Sequence, residues 1–232
     1  MEIILLYFIL FDSNLTAKDA VIYFLITVLV YMISITVHEF AHAFTAYKCG
    51  DSTAKLAGRM TLNPFKHLDG FGLFLFIFVG IGWAKPVPIN PLNFKKYKTG
   101  TRIVSIAGVV SNLLLGLISA ITVAVLLATV GQGGVALGYL YSVLNYFMIV
   151  NSFLFMFNIL PIAPLDGFNF ISTFTKADNK FINFMAKNGF KVLIGIILFG
   201  MLTDLFFGFD AFSEYLALLY NHVFRYICYL GV

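Results

Sequence analysis

Val37-His38-Glu39-Phe40-Ala41-His42 sets two histidines four residues apart, with a glutamate beside the first. On a helix, positions i and i+4 share one face. Two imidazoles at that spacing can reach one tetrahedral Zn²⁺, and the adjacent glutamate can hold a water and take its proton. The surroundings add weight to the pattern. His38, Glu39 and His42 lie in an otherwise apolar run, 20–47. Each ionisable group in such a run costs ~2.5–3.5 kcal/mol on insertion scales, so three within five residues call for a compensating ligand. The competing reading is a solvated, inert cluster at the membrane interface. Two histidines need a third protein ligand, which leaves one position open for chemistry. Asp166, Asp204, Glu214 and His222 are the candidates in or beside other apolar runs. Asp166 follows Pro161 and Pro164, which interrupt a helix and free backbone groups. Irregular backbone is tolerated at membrane depth where it lines a cavity. Asp204 reads as a residue near the outer interface, and His222 as a lone, satisfied histidine.

The elements that must position these groups are membrane helices. Of 232 residues, 60% are hydrophobic and 11% charged, less than half the roughly 25% charge of a soluble domain. That balance excludes a soluble enzyme, a disordered chain and a coiled coil. A net charge of +4 on so apolar a chain reads as a membrane-orientation signal, so nucleic acid is not an expected partner. Runs 20–47, 103–130, 138–165, 192–209 and 211–230 approach the ~20 apolar residues that a span requires. Run 3–11 is shorter and reads as interfacial. Run 71–83, bracketed by Gly70, Gly72, Gly80 and Gly82, reads as a re-entrant loop or hairpin. The expected fold is therefore an all-α polytopic membrane protein of five to six spans, with a re-entrant or β-hairpin segment near 71–91. Residues 1–232 are expected to form one domain, with C-terminal helices at 192–230.

Thirteen of the fifteen Lys and Arg lie in 48–102 and 176–191. Two expected spans separate these segments, so both fall on one side, and the positive-inside rule makes that side cytoplasmic. A lipid-binding role for the same bases is compatible with this orientation. The start, Met1-Glu2-Ile3-Ile4-Leu5, has no basic n-region, and a cleaved signal peptide is not expected. Cys49 and Cys228 are too isolated to form a disulfide framework or a CxxC metal pair.

The chain resembles the site-2 proteases, intramembrane zinc metalloproteases of the M50 type. His38-Glu39-Phe40-Ala41-His42 matches their first motif. Asn158-Ile159-Leu160-Pro161-Ile162-Ala163-Pro164-Leu165-Asp166-Gly167 matches N-x-x-P-x-x-x-L-D-G. Gly58–Pro64 and Gly82–Pro88 resemble segments of the short bacterial and archaeal members, and the likeness covers roughly 30–170. It implies one Zn²⁺ per chain held by His38, His42 and Asp166, with Glu39 catalytic. It also implies that Asn158 donates to a developing oxyanion, with Pro161 and Pro164 lining the site. Gly108-Val109-Val110-Ser111-Asn112 stands where the family has G-P-x-x-N, with Val109 in place of proline. Gly108 and Asn112 are then site-lining residues. Alternatively, the four-residue repeat of Gly108, Asn112, Gly116 and Ala120 is a helix-packing stripe.

The resemblance also brings the region 71–91 near substrate entry. Pro86, Pro88 and Pro91 favour extended backbone there, which can pair with an unwound strand or simply anchor in the membrane. The loop lengths leave no room for a PDZ domain. The implied activity is peptide-bond hydrolysis in single-pass transmembrane substrates, within the plasma or inner membrane. The alternatives are a catalytically silent membrane-protein binder and a metal transporter.

Overall fold

The computed structural model describes residues 16–79, 82–176 and 178–230. Its helices are α1 (Ala17–Cys49), α2 (Thr53–Leu56), α3 (Gly70–Val79), α4 (Tyr97–Thr129), α5 (Val135–Asn158), α6 (Asp166–Ser172), α7 (Lys180–Phe207), α8 (Ala211–Leu219) and α9 (Arg225–Tyr229). Four of them, α1, α4, α5 and α7, are long and apolar enough to cross a membrane. The polytopic all-α class therefore stands, with four such helices among the described residues rather than five or six. Run 3–11 lies outside the described residues.

The C-terminal run is helical but divided. A π turn, Tyr220–Phe224, separates α8 from α9. Its cause is a side chain inserted into the helix ladder. Ser152 on α5 accepts from the Tyr220 N–H at 2.9 Å and donates to the Leu216 carbonyl at 3.2 Å. It thus stands between the two groups that an α-helix would join. Tyr220 Oη also donates to Asn145 Oδ1, so this division fastens the C-terminal helices to α5.

Helices α1, α4 and α5 form the central group, and α4 carries its tightest contacts. Gly108, Asn112, Gly116 and Ala120 are all buried. A Cβ at Gly116 would fall 2.3 Å from the ring of Phe224, itself fully buried. Ile103, Ile106, Val110, Leu114, Ile118, Ile121 and Val125 of the same helix are exposed, an apolar stripe suited to lipid. Helix α7 lies at the edge of this group. It starts twelve residues before the apolar run at 192, so Lys180, Lys187 and Lys191 stand on its first turns rather than in a loop.

The segment expected as a re-entrant loop or β-hairpin near 71–91 is not a β-hairpin in its first arm. Among the described residues no strand occurs, and residues 70–79 form a helix. An isolated strand in hydrocarbon would leave its backbone groups unpaired, whereas a helix satisfies them internally. The chain does turn back; the tip, 80–81, lies outside the described residues. The returning arm is pinned by an antiparallel bridge between Leu68 and Ala84 and by Lys85 N–H to His67 O at 2.8 Å. Gly72 permits the close approach, since a Cβ there would lie 2.2 Å from Trp83 O.

Beyond Lys85 the chain runs as an extended strap over the end of α1. Arg59 Nη2 donates to Lys85 O at 2.6 Å, and Lys95 N–H to Cys49 O at 2.9 Å. Asp51, fully buried, accepts from Asn90 N–H, Asn93 Nδ2, Thr53 N–H and Thr53 Oγ1. Burial works against ionisation of this carboxyl. The hydrogen bonds from Thr53, Asn93 and Asn90 outweigh it and hold the group below its ordinary value.

Candidate metal centre

Both histidines of the HExxH stretch are buried on α1, eleven and seven residues before the helix ends. At 1.5 Å per residue, that puts them roughly 10–16 Å inside the helix from its C-terminus. Asp166 reaches them from another part of the chain. The connection 159–165 is irregular, and the Ala163–Pro164 bond within it is cis. Gly167 and Gly189 let this loop nest. A Cβ at Gly167 would lie 2.1 Å from Ile159 O, and one at Gly189 2.3 Å from Ala163 O. Asp166 then opens α6, where a carboxylate complements the helix N-terminus. Arg102 holds the far end of α6. Its guanidinium donates to Thr173 Oγ1 and O at 2.9 and 3.3 Å and stands over the Phe174 ring.

Three potential ligand atoms converge. His38 Nε2 and His42 Nε2 are 3.0 Å apart, and each is 3.2 Å from Asp166 Oδ2. They form a group that could hold a metal ion. The opposite side of each ring explains the chemistry. His42 Nδ1 is 2.7 Å from Val104 O, and His38 Nδ1 is 2.6 Å from Asn112 Oδ1. A carbonyl oxygen only accepts, so each ring, as the neutral imidazole that binds a metal, carries its one proton on Nδ1. Both Nε2 atoms therefore turn lone pairs towards each other and towards a carboxylate oxygen. No hydrogen-bond donor reaches Asp166 Oδ2. Three acceptors packed face to face repel one another unless a cation lies among them. Tetrahedral zinc, with bonds of about 2.0–2.1 Å, sets its ligands about 3.3 Å apart, close to the separations found. Gly108 keeps that space open. A Cβ there would lie 2.4 Å from His42 Nε2 and 2.6 Å from His38 Nε2. The residues present thus fit a zinc ion.

Glu39 lies one residue along and is half-buried. Its Oε2 accepts the backbone N–H of Val87, in the strap, at 3.0 Å. That bond fixes the carboxylate and joins the strap to α1.

The other expected site residues divide. Gly108 and Asn112 are at the centre, whereas Gly116 and Ala120 of the same stripe serve packing. The stripe thus packs against the two histidines at one end and against Phe224 at Gly116. Pro161 and Pro164 lie in the loop that presents Asp166. Asn158 ends α5, and its amide donates to Leu154 O at 2.9 Å. No hydrogen bond between Asn158 and the His38–His42–Asp166 group is found among the described residues. Asp204 is the acceptor for the Gly208 cap of α7, far along the chain from the group. Glu214 and His222 also lie outside it. Sequence reasoning missed Val87 and Val104, which act through backbone atoms. It also missed Asn151, whose signal was an amide in an otherwise apolar run.

Comparison with curated proteins gives a consistent picture. The Bacillus subtilis (strain 168) protein named "Putative zinc metalloprotease YwhC" is 46% identical over 147 residues, covering 62% of this chain and 66% of that protein. The Mycolicibacterium smegmatis protein named "Putative zinc metalloprotease Rip2" is 26% identical over 206 residues, covering 83% of this chain and 77% of that one. A Mycobacterium tuberculosis (strain Erdman) protein of the same name is 27% identical over 192 residues, covering 80% and 71%. The match thus spans just under two thirds of the Bacillus relative. No family model matches the chain, and no solved structure does.

Proposed function

We propose that the chain is a zinc metalloprotease of the site-2 type, like the relatives named putative zinc metalloproteases, and that it hydrolyses peptide bonds of single-pass transmembrane proteins inside the bilayer. One observation carries the reading. His38, His42 and Asp166 converge with unprotonated faces inward, and Glu39 stands on the same helix turn. Zinc, when bound, supplies Lewis acidity, which polarises a carbonyl and acidifies water.

The chain's own groups do the rest. Glu39 accepts a proton from the attacking water and later gives it to the leaving amine. The Val87 N–H holds one of its oxygens, so the carboxylate is already aimed. His38 and His42 are oriented from behind by Asn112 and Val104 O, and Asp166 by the folded loop. Asn158 spends one amide N–H on Leu154 O; its second N–H is the one the oxyanion role would use.

A helical substrate hides its carbonyls in i→i−4 bonds, so helix-breaking residues in the substrate segment favour cleavage. The basic segments lie at the ends where α1 finishes and α4 and α7 begin. With the positive-inside rule, this supports a cytoplasmic placement of that side in a plasma or inner membrane. The decisive test is cleavage of a membrane-helix reporter by the purified chain in detergent. Chelation should abolish it and zinc should restore it. Cleavage that persists in chelator would exclude the reading.

A further inference from the structure

Asn151 is fully buried in α5, and the proposed reaction gives it no role. It stands in a line of hydrogen bonds that crosses three helices. Asn151 Nδ2 donates to Phe147 O at 2.9 Å and to Ser34 Oγ at 2.9 Å. Asn151 Oδ1 accepts from Asn112 Nδ2 at 2.8 Å. Asn112 Oδ1 accepts from His38 Nδ1 at 2.6 Å.

The direction of this line matters. An amide can turn over, and a turned Asn112 would offer its NH₂ to His38. The imidazole would then carry its proton on Nε2, the atom facing His42 and Asp166. One fixed point prevents this. Phe147 O is a backbone carbonyl and can only accept. It holds the Asn151 NH₂, which leaves Asn151 Oδ1 facing Asn112. Asn112 must then donate through Nδ2 and accept through Oδ1. His42 needs no such relay, because Val104 O sits directly behind it.

We infer that Asn151 is a positioning residue for the metal centre: it sets the orientation of Asn112 and, through it, the His38 tautomer that can bind a metal. Partners of this kind behind ligating histidines typically change metal affinity 10–100-fold. The inference rests on the metal-centre reading above.

Zinc affinity of the full chain in detergent, measured by competition with a chelator, is the test. Asn151→Leu removes the acceptor that holds the Asn112 NH₂ and should weaken zinc about 10–100-fold. Asn151→Asp, as the neutral acid, keeps the two groups that set the direction, a carbonyl oxygen for Asn112 and an O–H for Phe147 O, and gives up only the second N–H, to Ser34 Oγ. It should stay within about threefold of wild type. A role in packing alone reverses this order, since leucine buries readily between membrane helices and an acid does not.

A leucine variant binding zinc as tightly as wild type, or an aspartate variant as weak as the leucine one, overturns the inference. If the leucine variant fails to fold, the aspartate variant alone decides. A wild type that binds no zinc defeats the metal-centre reading itself and is recognised separately.

Discussion

Val87 donates its backbone N–H to Glu39 Oε2 at 3.0 Å, although 48 residues separate them. The strap that carries Val87 is fixed on both sides, by Arg59 at Lys85 and by Asp51 at Asn90. The Glu39 carboxylate is thus held by backbone that is itself firmly anchored.

Val87→Pro tests that bond, because proline has no N–H. A hydrogen bond to a charged group contributes ~1.5–3 kcal/mol, so the cleavage rate should fall about 10–100-fold. Zinc content should be unchanged, since the Val87 N–H bonds Glu39 and the Val87 side chain packs with Ala43 and Ala54. Rate and zinc measured on the same preparation check this. An unchanged rate would separate the strap from catalysis.

Gly108→Ala should strip the metal from an otherwise folded protein. In an exposed helix interior this change stabilises by up to ~1 kcal/mol. Here the methyl would lie 2.4 Å from His42 Nε2. Gly138→Ala is the control, with open space around the added methyl. Zinc loading and helicity should part company at 108 and stay together at 138. Full zinc in the 108 variant would show that the ligand cluster has room to spare.

Asp166→Ala should lose zinc while the helices persist. The two histidines alone leave a two-ligand site, and catalytic zinc needs three protein ligands. Full zinc retention would move the third ligand elsewhere in the chain.

Asp51 predicts a pH dependence. Its carboxyl is held below the ordinary value by its hydrogen-bond donors. The stabilisation is therefore complete above the unfolded value of about 3.9, and is lost as pH falls through the lower folded value. Thermal unfolding of wild type should fall off below about pH 4. Asp51→Asn should be less stable at neutral pH by about 1–3 kcal/mol and show a flatter acid limb. Parallel acid limbs would remove Asp51 from the account.

The parts of this site that were legible in the sequence are those written in side-chain type. His38, Glu39 and His42 share a helical face by spacing alone. Asp166 stands out because prolines break an apolar run before it. Val87 and Val104 O were hidden because they act through backbone atoms, which every residue has. The segment 70–79 was ambiguous for another reason. Ten apolar residues without alternation fit a buried strand or a helix equally, and only the need to satisfy backbone groups decides. Residues 211–229 do not form one span-length helix because Ser152, far away in the chain, interrupts the ladder there. Arg102 was readable as an orientation charge but not as the clamp on α6, since Thr173 lies 71 residues away.

The central claim is that Glu39 moves the proton in a zinc-dependent cleavage of membrane helices. Wild type and Glu39→Gln, purified alike, should be assayed side by side on a transmembrane-helix reporter, with zinc quantified in both. The account predicts one zinc per chain in each protein and cleavage by the wild type alone. Cleavage by the glutamine variant at the wild-type rate would contradict it.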